Sequence, residues 1–228
     1  MKILKSLLIL ILFWNVSSKI MAQDSKSYLA LGDSYTIGEL VDSKKTWSKV
    51  LADKLNNRGI AVELDKIIAT TGWTTDELLD AVENDTLLTD SNYDLVSLLI
   101  GVNNQYRGYG IQQYREEFEM LLKKAIKLAG KKAERVFVVS IPDYGVTPFA
   151  KENNKNSELI AKELNEYNRI ARNLSNEYGV TFFDITPISL KAVWDTDYVA
   201  SDKLHPSAKM YAEWAEYIAP GVFQLLKN

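Results

Sequence analysis

Five short runs of apolar residues recur along the chain, each with the pattern of a strand that is buried on both faces. They are rich in Val, Ile and Leu and lack a regular alternation of apolar and polar positions, which is typical of parallel strands covered by helices on both sides. The predicted strands are Ser27–Leu31, Val62–Ala69, Leu95–Ile100, Val136–Ile141 and Val180–Ile185.

The segments between these runs carry apolar residues at the helical period of 3.6. One helix is predicted from the apolar positions Tyr114, Phe118, Leu121, Leu122, Ala125 and Leu128, and another from Ile160, Leu164, Tyr167, Ala171, Leu174 and Tyr178. The sequence Thr74-Thr75-Asp76-Glu77 is a capping box that predicts a further helix start, and Pro206 is expected in the first turn of a last helix. Alternating strands and helices predict an α/β fold with a doubly wound sheet and right-handed crossovers.

The N-terminus has the layout of a secretory signal peptide. A short basic start precedes the apolar run from Ser6 to Trp14, and small residues then give an expected cleavage point after Ala22. The run is shorter than the roughly 18–20 apolar residues that a membrane-spanning helix needs. We therefore expect a signal peptide at residues 1–22, a single domain at residues 23–228, and an exported protein, periplasmic or extracellular, without stable membrane insertion after cleavage.

Charge and composition narrow the function classes. The formal net charge is −3 and becomes −6 when the three lysines of residues 1–22 are removed, which argues against nucleic acid as a partner. The chain has no cysteine and one histidine, so disulfides and thiolate metal sites are excluded and a zinc site would need nearly all-carboxylate ligation. We predict no metal, no cofactor and a monomer that acts on a small molecule.

The single histidine, His205, suggests the chemistry. Asp202 lies three residues before it, and Ser34 follows the first predicted strand in Gly32-Asp33-Ser34. A serine hydroxyl becomes a useful nucleophile when a histidine takes its proton and a carboxylate orients that histidine. The catalytic prediction is therefore Ser34 as nucleophile, His205 as base and Asp202 as the residue that orients it.

Donors for a developing oxyanion follow the first three strands. They are the backbone N–H of Ser34, the backbone N–H of Gly72 and the side-chain amide of Asn103. Each motif alone is more often structural, since such residues commonly form turns, bends and loop caps. However, loops at the carboxyl ends of parallel strands meet at one sheet edge, where sites form. The joint occurrence of these residues favours acyl transfer over the structural interpretation.

The four motifs together resemble the SGNH, or GDSL-type, esterase and lipase family. The resemblance covers nearly the whole chain from about residue 27 onward, and the four blocks are Leu31-Gly32-Asp33-Ser34-Tyr35, Gly72, Gly101-Val102-Asn103 and Asp202-Lys203-Leu204-His205-Pro206. It implies a three-layer α/β/α, flavodoxin-like sandwich with a five-stranded parallel sheet in the order 2-1-3-4-5. One departure is Asn104, which stands where the family usually has aspartate after the block-three asparagine.

The substrate remains open at this stage. The resemblance implies an exported serine ester hydrolase for small-molecule acyl or acetyl esters, and an O-acylated carbohydrate is one candidate substrate. A lysophospholipase- or thioesterase-like lipid acylhydrolase is the alternative, and a non-catalytic carbohydrate-binding protein on the same scaffold is a third. Five aromatic residues near the predicted loops could stack on sugar rings or simply pack the loops: Trp73, Tyr106, Tyr109, Trp194 and Tyr198.

Overall fold

The structure is a computed structural model that describes residues 25–88 and 92–227. The predicted signal peptide, residues 1–22, lies outside these described residues. Within them, five strands form one parallel sheet in the order β2-β1-β3-β4-β5, as the family resemblance implied. The strands are β1 (Lys26–Gly32), β2 (Val62–Ala69), β3 (Leu95–Leu99), β4 (Val136–Val139) and β5 (Thr181–Phe183).

The last two strands are shorter than the apolar runs that predicted them. Beyond β4, the backbone N–H and C=O of Ile141 bond to the Asn168 side chain, at 2.7 and 3.0 Å. Beyond β5, the N–H of Ile185 donates to Ser140 Oγ at 2.9 Å. Side chains take the backbone groups that a longer ladder would use, so pairing stops while the apolar residues stay buried.

Nine helices in the described part of the chain connect and cover the strands. They are α1 (Ser34–Ile37), α2 (Trp47–Asn57), α3 (Thr75–Asn84), α4 (Val102–Tyr106), α5 (Ile111–Leu128), α6 (Pro148–Glu152), α7 (Ser157–Glu177), α8 (Thr186–Ser189) and α9 (Ala208–Leu225). Helix α2 packs on α9, while α3, α5 and α7 pack in succession, so the helices form two groups around the sheet. The predicted helices correspond to α5 and α7, and the capping box opens α3.

The prediction for the start of the last helix is wrong. Pro206 precedes α9 and forms an isolated antiparallel bridge with Val199. Ser207 is the N-cap instead, because its side chain accepts a hydrogen bond from the backbone N–H of Met210. Serine at the N-cap and proline at the first helical position are both favoured, but neighbouring residues cannot satisfy both rules in the order Pro-Ser.

The sheet interior is apolar and closely packed. Tyr28, Leu29, Ala30 and Leu31 of β1 are fully buried, and every residue of β3 is buried. Strands β1 and β3 lie inside the sheet, so the loops that follow them begin at closely packed, buried residues. No helix in the described ranges has the length and apolarity required to cross a bilayer.

Candidate active site

Ser34 lies where β1 passes directly into α1. Gly32 ends the strand, and a Cβ at this position would lie 2.1 Å from Thr36 Oγ1 and 2.4 Å from the Leu99 carbonyl oxygen, so only glycine fits. Asp33 then caps α1 by accepting the Tyr35 N–H at 3.0 Å. This tight connection places Ser34 at the first helical position, with 4% of its surface exposed at the carboxyl end of the central strand.

Asp33 itself is fully buried beneath this turn. Burial raises its pKa to about 7, and the hydrogen bond from the Tyr35 backbone opposes that rise. One carboxyl oxygen, Oδ2, has no hydrogen-bond partner among the described residues. A protonated Asp33 would therefore avoid an unpaired buried charge, which is the costly state.

Asp202 and His205 are joined by their side chains and by the loop between them. His205 Nδ1 lies 2.5 Å from Asp202 Oδ2, while Asp202 Oδ1 accepts the backbone N–H groups of Leu204 and His205, both at 3.0 Å. Burial alone would raise the pKa of Asp202, but these hydrogen bonds outweigh it and hold the pKa below its usual value. The carboxylate therefore fixes both the loop and the imidazole, leaving Nε2 as the nitrogen that can accept a proton.

The loop that contains Gly72 is held by hydrogen bonds from Asn103 and Arg107. Gly72 adopts a positive φ of 88°, and its carbonyl accepts from Arg107 Nη2 at 2.6 Å. Asn103, in α4, donates one Nδ2 hydrogen to the Trp73 carbonyl at 2.9 Å. An amide carries two such hydrogens, so the second stays available to a ligand. The α4 side chains thus define the position of the loop after β2.

Asn104, the residue that departs from the family pattern, points into the protein. It is fully buried, accepts the Thr75 N–H at 3.0 Å and donates from Nδ2 to Thr75 Oγ1 at 2.6 Å. The Thr75 hydroxyl in turn donates to the Glu117 carboxylate. Asn104 is therefore part of a buried series of hydrogen bonds that connects α4 with α3 and α5.

A cavity of about 220 Å³ brings the predicted residues together. We call it the central cavity; its polar walls come from Ser34, Gly72, Asn103 and His205. Asp202 adjoins it through His205. The structure thus places all five predicted site residues around one point at the sheet edge, as the strand-end argument required.

The remaining walls are mostly apolar, and the sequence motifs contain several of them but not Thr71, Tyr144 or Phe149. They are Tyr35, Thr71, Val102, Tyr106, Tyr144, Phe149 and Leu204. Tyr144 and Phe149 lie in the segment after β4, so the strand-end argument could have found them. Of the five aromatic candidates, Tyr106 lines this cavity, whereas Trp194 is 75% exposed and the Tyr198 hydroxyl bonds to Glu213.

A second cavity, more open to solvent, is lined by the residues between Tyr144 and Phe149, two residues that themselves line the central cavity. This outer cleft has a volume of about 1130 Å³, and its lining is rich in polar side chains, including Thr147, Lys151, Asn154 and Ser157. Lys155 also lines it and lies over the ring of Tyr106, 4.7 Å from the ring centre. Because Tyr106 belongs to the central cavity, this contact connects the two spaces.

The fold is similar to those of several solved structures. TesA matches with a TM-score of 0.69 at 16% identity, over 88% of this chain and 99% of that one. The SGNH-hydrolase family esterase AlinE4 matches with a TM-score of 0.59 at 22% identity, over 89% and 97%. Axe2 from Geobacillus, an acetyl-xylooligosaccharide esterase, matches with a TM-score of 0.63 at 18% identity, over 86% and 94%.

The family assignment comes from the sequence. No curated protein matches the chain. The model of the GDSL-like lipase/acylhydrolase family, however, matches residues 30–213, which include the turn at Ser34 and the loop at His205. The chain therefore belongs to the GDSL-like lipase/acylhydrolase family and is a hydrolase that acts on ester bonds.

Proposed function

We propose that the chain cleaves carboxylic esters through a Ser34–His205–Asp202 mechanism. His205 Nε2 takes the Ser34 proton as Oγ attacks the acyl carbon, and Asp202 stabilises the imidazolium that forms. The tetrahedral intermediate then expels the alcohol, which receives the proton from His205. A water molecule, activated in the same way, attacks the acyl-serine and releases the carboxylic acid.

The negative charge of each tetrahedral intermediate needs donors. The Ser34 and Gly72 backbone N–H groups and the free Nδ2 hydrogen of Asn103 would supply them. The observation that carries the proposal is the shared cavity: its walls contain the serine, both further donors and a histidine whose other nitrogen lies 2.5 Å from a carboxylate. A binding protein without turnover would not require that arrangement.

The dimensions of the central cavity favour a short acyl group. At about 220 Å³ it is smaller than the roughly 300–1,000 Å³ typical of sites for drug-sized ligands. Val102, Phe149 and Leu204 give it apolar surface suited to a short alkyl chain. Acetyl and similar small acyl groups fit this description better than a long lipid chain, which would extend into solvent.

The outer cleft favours a polar alcohol, and we propose an O-acylated carbohydrate as the substrate. The ammonium groups of Lys151 and Lys155, the amide of Asn154 and the carboxylate of Glu152 line the cleft, and these can bond to sugar hydroxyls. The similarity to the acetyl-xylooligosaccharide esterase Axe2 supports the same substrate class. Acetate release from O-acetylated oligosaccharides, measured beside fatty-acid release from a lysophospholipid, tests this choice. Faster lysophospholipid hydrolysis would favour the lipid acylhydrolase instead.

Hydrolysis of p-nitrophenyl esters tests both proposals: the acyl chain length tests the preference for short acyl groups, and variants of the site residues test the mechanism. Ser34→Ala and His205→Ala should each lower kcat by roughly 10⁴–10⁶-fold while the fold remains intact by circular dichroism, because loss of either residue disables the triad. Ser43→Ala is the matched control, since Ser43 is exposed and lies outside the cavity. More than a tenth of parental turnover in Ser34→Ala would exclude Ser34 as the nucleophile.

We also propose that the protein is exported. The basic start, apolar run and small residues of residues 1–22 support this, because signal peptidases cleave after such patterns. Mass spectrometry of the protein from its native host should find an N-terminus between Met21 and Asp24. A mature protein that still begins at Met1 would contradict export.

A further inference from the structure

Helix α4 and the residue that follows it hold the loop after β2 at three successive points. Arg107 Nη2 donates to the Gly72 carbonyl at 2.6 Å, and Asn103 Nδ2 donates to the Trp73 carbonyl at 2.9 Å. Asn104 Oδ1 accepts the Thr75 N–H at 3.0 Å. These three side chains therefore supplement the backbone turn between Thr70 and Trp73 in positioning the segment beyond β2, which ends at Ala69.

Apart from Arg107, a backbone hydrogen bond closes the turn that contains Gly72, from the Trp73 N–H to the Thr70 carbonyl at 3.2 Å. A Cβ built there would find one group within 4 Å outside its chain neighbours in the described structure, Arg107 Nη2 at 3.5 Å. The positive φ of 88° is open to glycine, whose backbone is the most free to move. Without the guanidinium, the turn would keep its Trp73–Thr70 hydrogen bond but lose the contact that holds the Gly72 carbonyl.

Arg107 is itself anchored while remaining accessible. Its Nη1 lies 3.5 Å from Glu77 Oε2, and its side chain is 40% exposed. A side-chain hydrogen bond with Tyr109 raises the pKa of Arg107, burial opposes this rise and Glu77 adds to it. Arg107 is thus a fixed cation whose planar group spans the Gly72 carbonyl and the Glu77 carboxylate, a geometry that lysine cannot reproduce.

We propose that Arg107 is a positioning residue for the oxyanion donors, acting through Gly72. This rests on the proposed function, in which the Gly72 N–H stabilises the tetrahedral intermediate. Arg107 does not line the central cavity, so its effect would pass through the Gly72 peptide that it holds. A displaced donor weakens transition-state stabilisation more than substrate binding, because the ester carbonyl gains most of its negative charge only during reaction.

The test compares kcat and KM for p-nitrophenyl acetate in Arg107→Ala, Arg107→Lys and the parent. A misplacement of about 1 Å can cost about 10²-fold in rate, so we expect kcat of Arg107→Ala to fall about 10–100-fold with KM within about twofold. Arg107→Lys should recover only part of the loss. Arg58→Ala is the control, because Arg58 pairs with Glu216 on the α2–α9 side and touches no site residue.

Chemical rescue separates positioning from general stability. Because the Arg107 side chain is partly exposed, guanidinium at low millimolar concentration should enter the space in Arg107→Ala and raise kcat at least about fivefold. It should not raise kcat of the parent or of Arg58→Ala. Rescue without a change in melting temperature supports the proposal.

Three results would overturn it: an unchanged kcat, a loss confined to KM, or a loss of kcat that guanidinium does not restore and that follows the melting temperature. Ser34→Ala, assayed in parallel, distinguishes this failure from failure of the proposed function. If Ser34→Ala stays active, the serine mechanism is wrong whatever Arg107 does. If Ser34→Ala is inactive and Arg107→Ala is unaffected, only the positioning role is wrong.

Discussion

The substitution Asn104→Asp tests why this chain has an amide where its family usually has a carboxylate. Asn104 Nδ2 donates to Thr75 Oγ1, and the single hydroxyl proton of Thr75 is already donated to Glu117. An aspartate at position 104 would present an oxygen to Thr75 Oγ1 in place of a donor. Either two acceptors then face each other, or Thr75 turns its proton to the new carboxylate and leaves Glu117 without it.

The cost can be worked from this geometry. Position 104 is fully buried, so an unmet donor or acceptor there should destabilise the protein by about 1–3 kcal/mol. A change of 1 kcal/mol shifts the melting temperature by about 2–4 °C in a domain of 150–250 residues, so we expect a decrease of about 2–12 °C. The new charge lies beside Asn103 and would oppose an oxyanion, so kcat on p-nitrophenyl acetate should also fall.

A second substitution should reverse the effect. In Asn104→Asp/Glu117→Gln, Thr75 can donate to the new carboxylate at position 104 and accept from the new amide at position 117, so the hydrogen-bond chain runs in the opposite direction. The remaining oxygen at position 117 can still accept from Gln113, as Glu117 does at 2.8 Å. Contacting residues commonly couple by about 0.5–3 kcal/mol, so most of the lost melting temperature should return.

Glu116→Gln provides the matched control for this double variant. Glu116 lies on the same helix and accepts from Gln112 at 2.8 Å, but it has no bond to Thr75. Thermal melts near neutral pH should show recovery with Glu117→Gln and none with Glu116→Gln. The reasoning is refuted if Asn104→Asp melts within about 1 °C of the parent, or if both second substitutions restore stability equally.

Further predictions concern the same site. Asn103→Ala should lower kcat by about 10²–10³-fold on a p-nitrophenyl ester, the usual loss for one oxyanion donor, and a change in KM alone would contradict that role. Asp202→Asn should lower kcat by about 10⁴-fold, because an amide favours the wrong tautomer of His205; near-normal turnover would remove Asp202 from the mechanism. Asp33 has its pKa raised from 3.8 to about 7 by burial, so the folded protein holds this proton more tightly and loses stability as pH rises toward 7. Asp33→Asn should flatten that decline in melts between about pH 4 and 8, and an unchanged slope would refute it.

The sequence was most informative where a local pattern has a single physical cause. Runs rich in Val, Ile and Leu predicted the five strands, since parallel strands covered on both faces are mostly apolar. The edge strand β2 fits this pattern least, because Glu63 and Asp65 are exposed. The order of loops after parallel strands then brought Ser34, Gly72 and Asn103 to one edge, and the structure places them around one cavity. Strand order itself came from the family resemblance, because apolar runs do not specify which strands pair.

Other features depend on contacts between distant residues, which no local pattern reports. β4 and β5 end early because the side chains of Asn168 and Ser140 take the backbone hydrogen bonds. Pro206 was misplaced because two helix-start preferences compete in adjacent residues. Glu117 lies 42 residues from Thr75, so its bond follows from the packing of α5 on α3 and has no signal in the spacing of either residue.

Ser34 and Gly72 are therefore held in position by different kinds of interaction. Backbone packing decides the position of Ser34: Gly32 fits against Leu99 and Thr36, and any larger residue would displace the turn. The loop that contains Gly72 is held by a backbone turn bond between Trp73 and Thr70 and by side-chain hydrogen bonds from Asn103 and Arg107. Substitutions at Gly32 should consequently disrupt folding and activity together, whereas those at Asn103, Asn104 and Arg107 should change kcat by graded amounts in a folded protein. Variation in α4 is thus a physical route by which relatives with the same serine, histidine and aspartate could differ in rate.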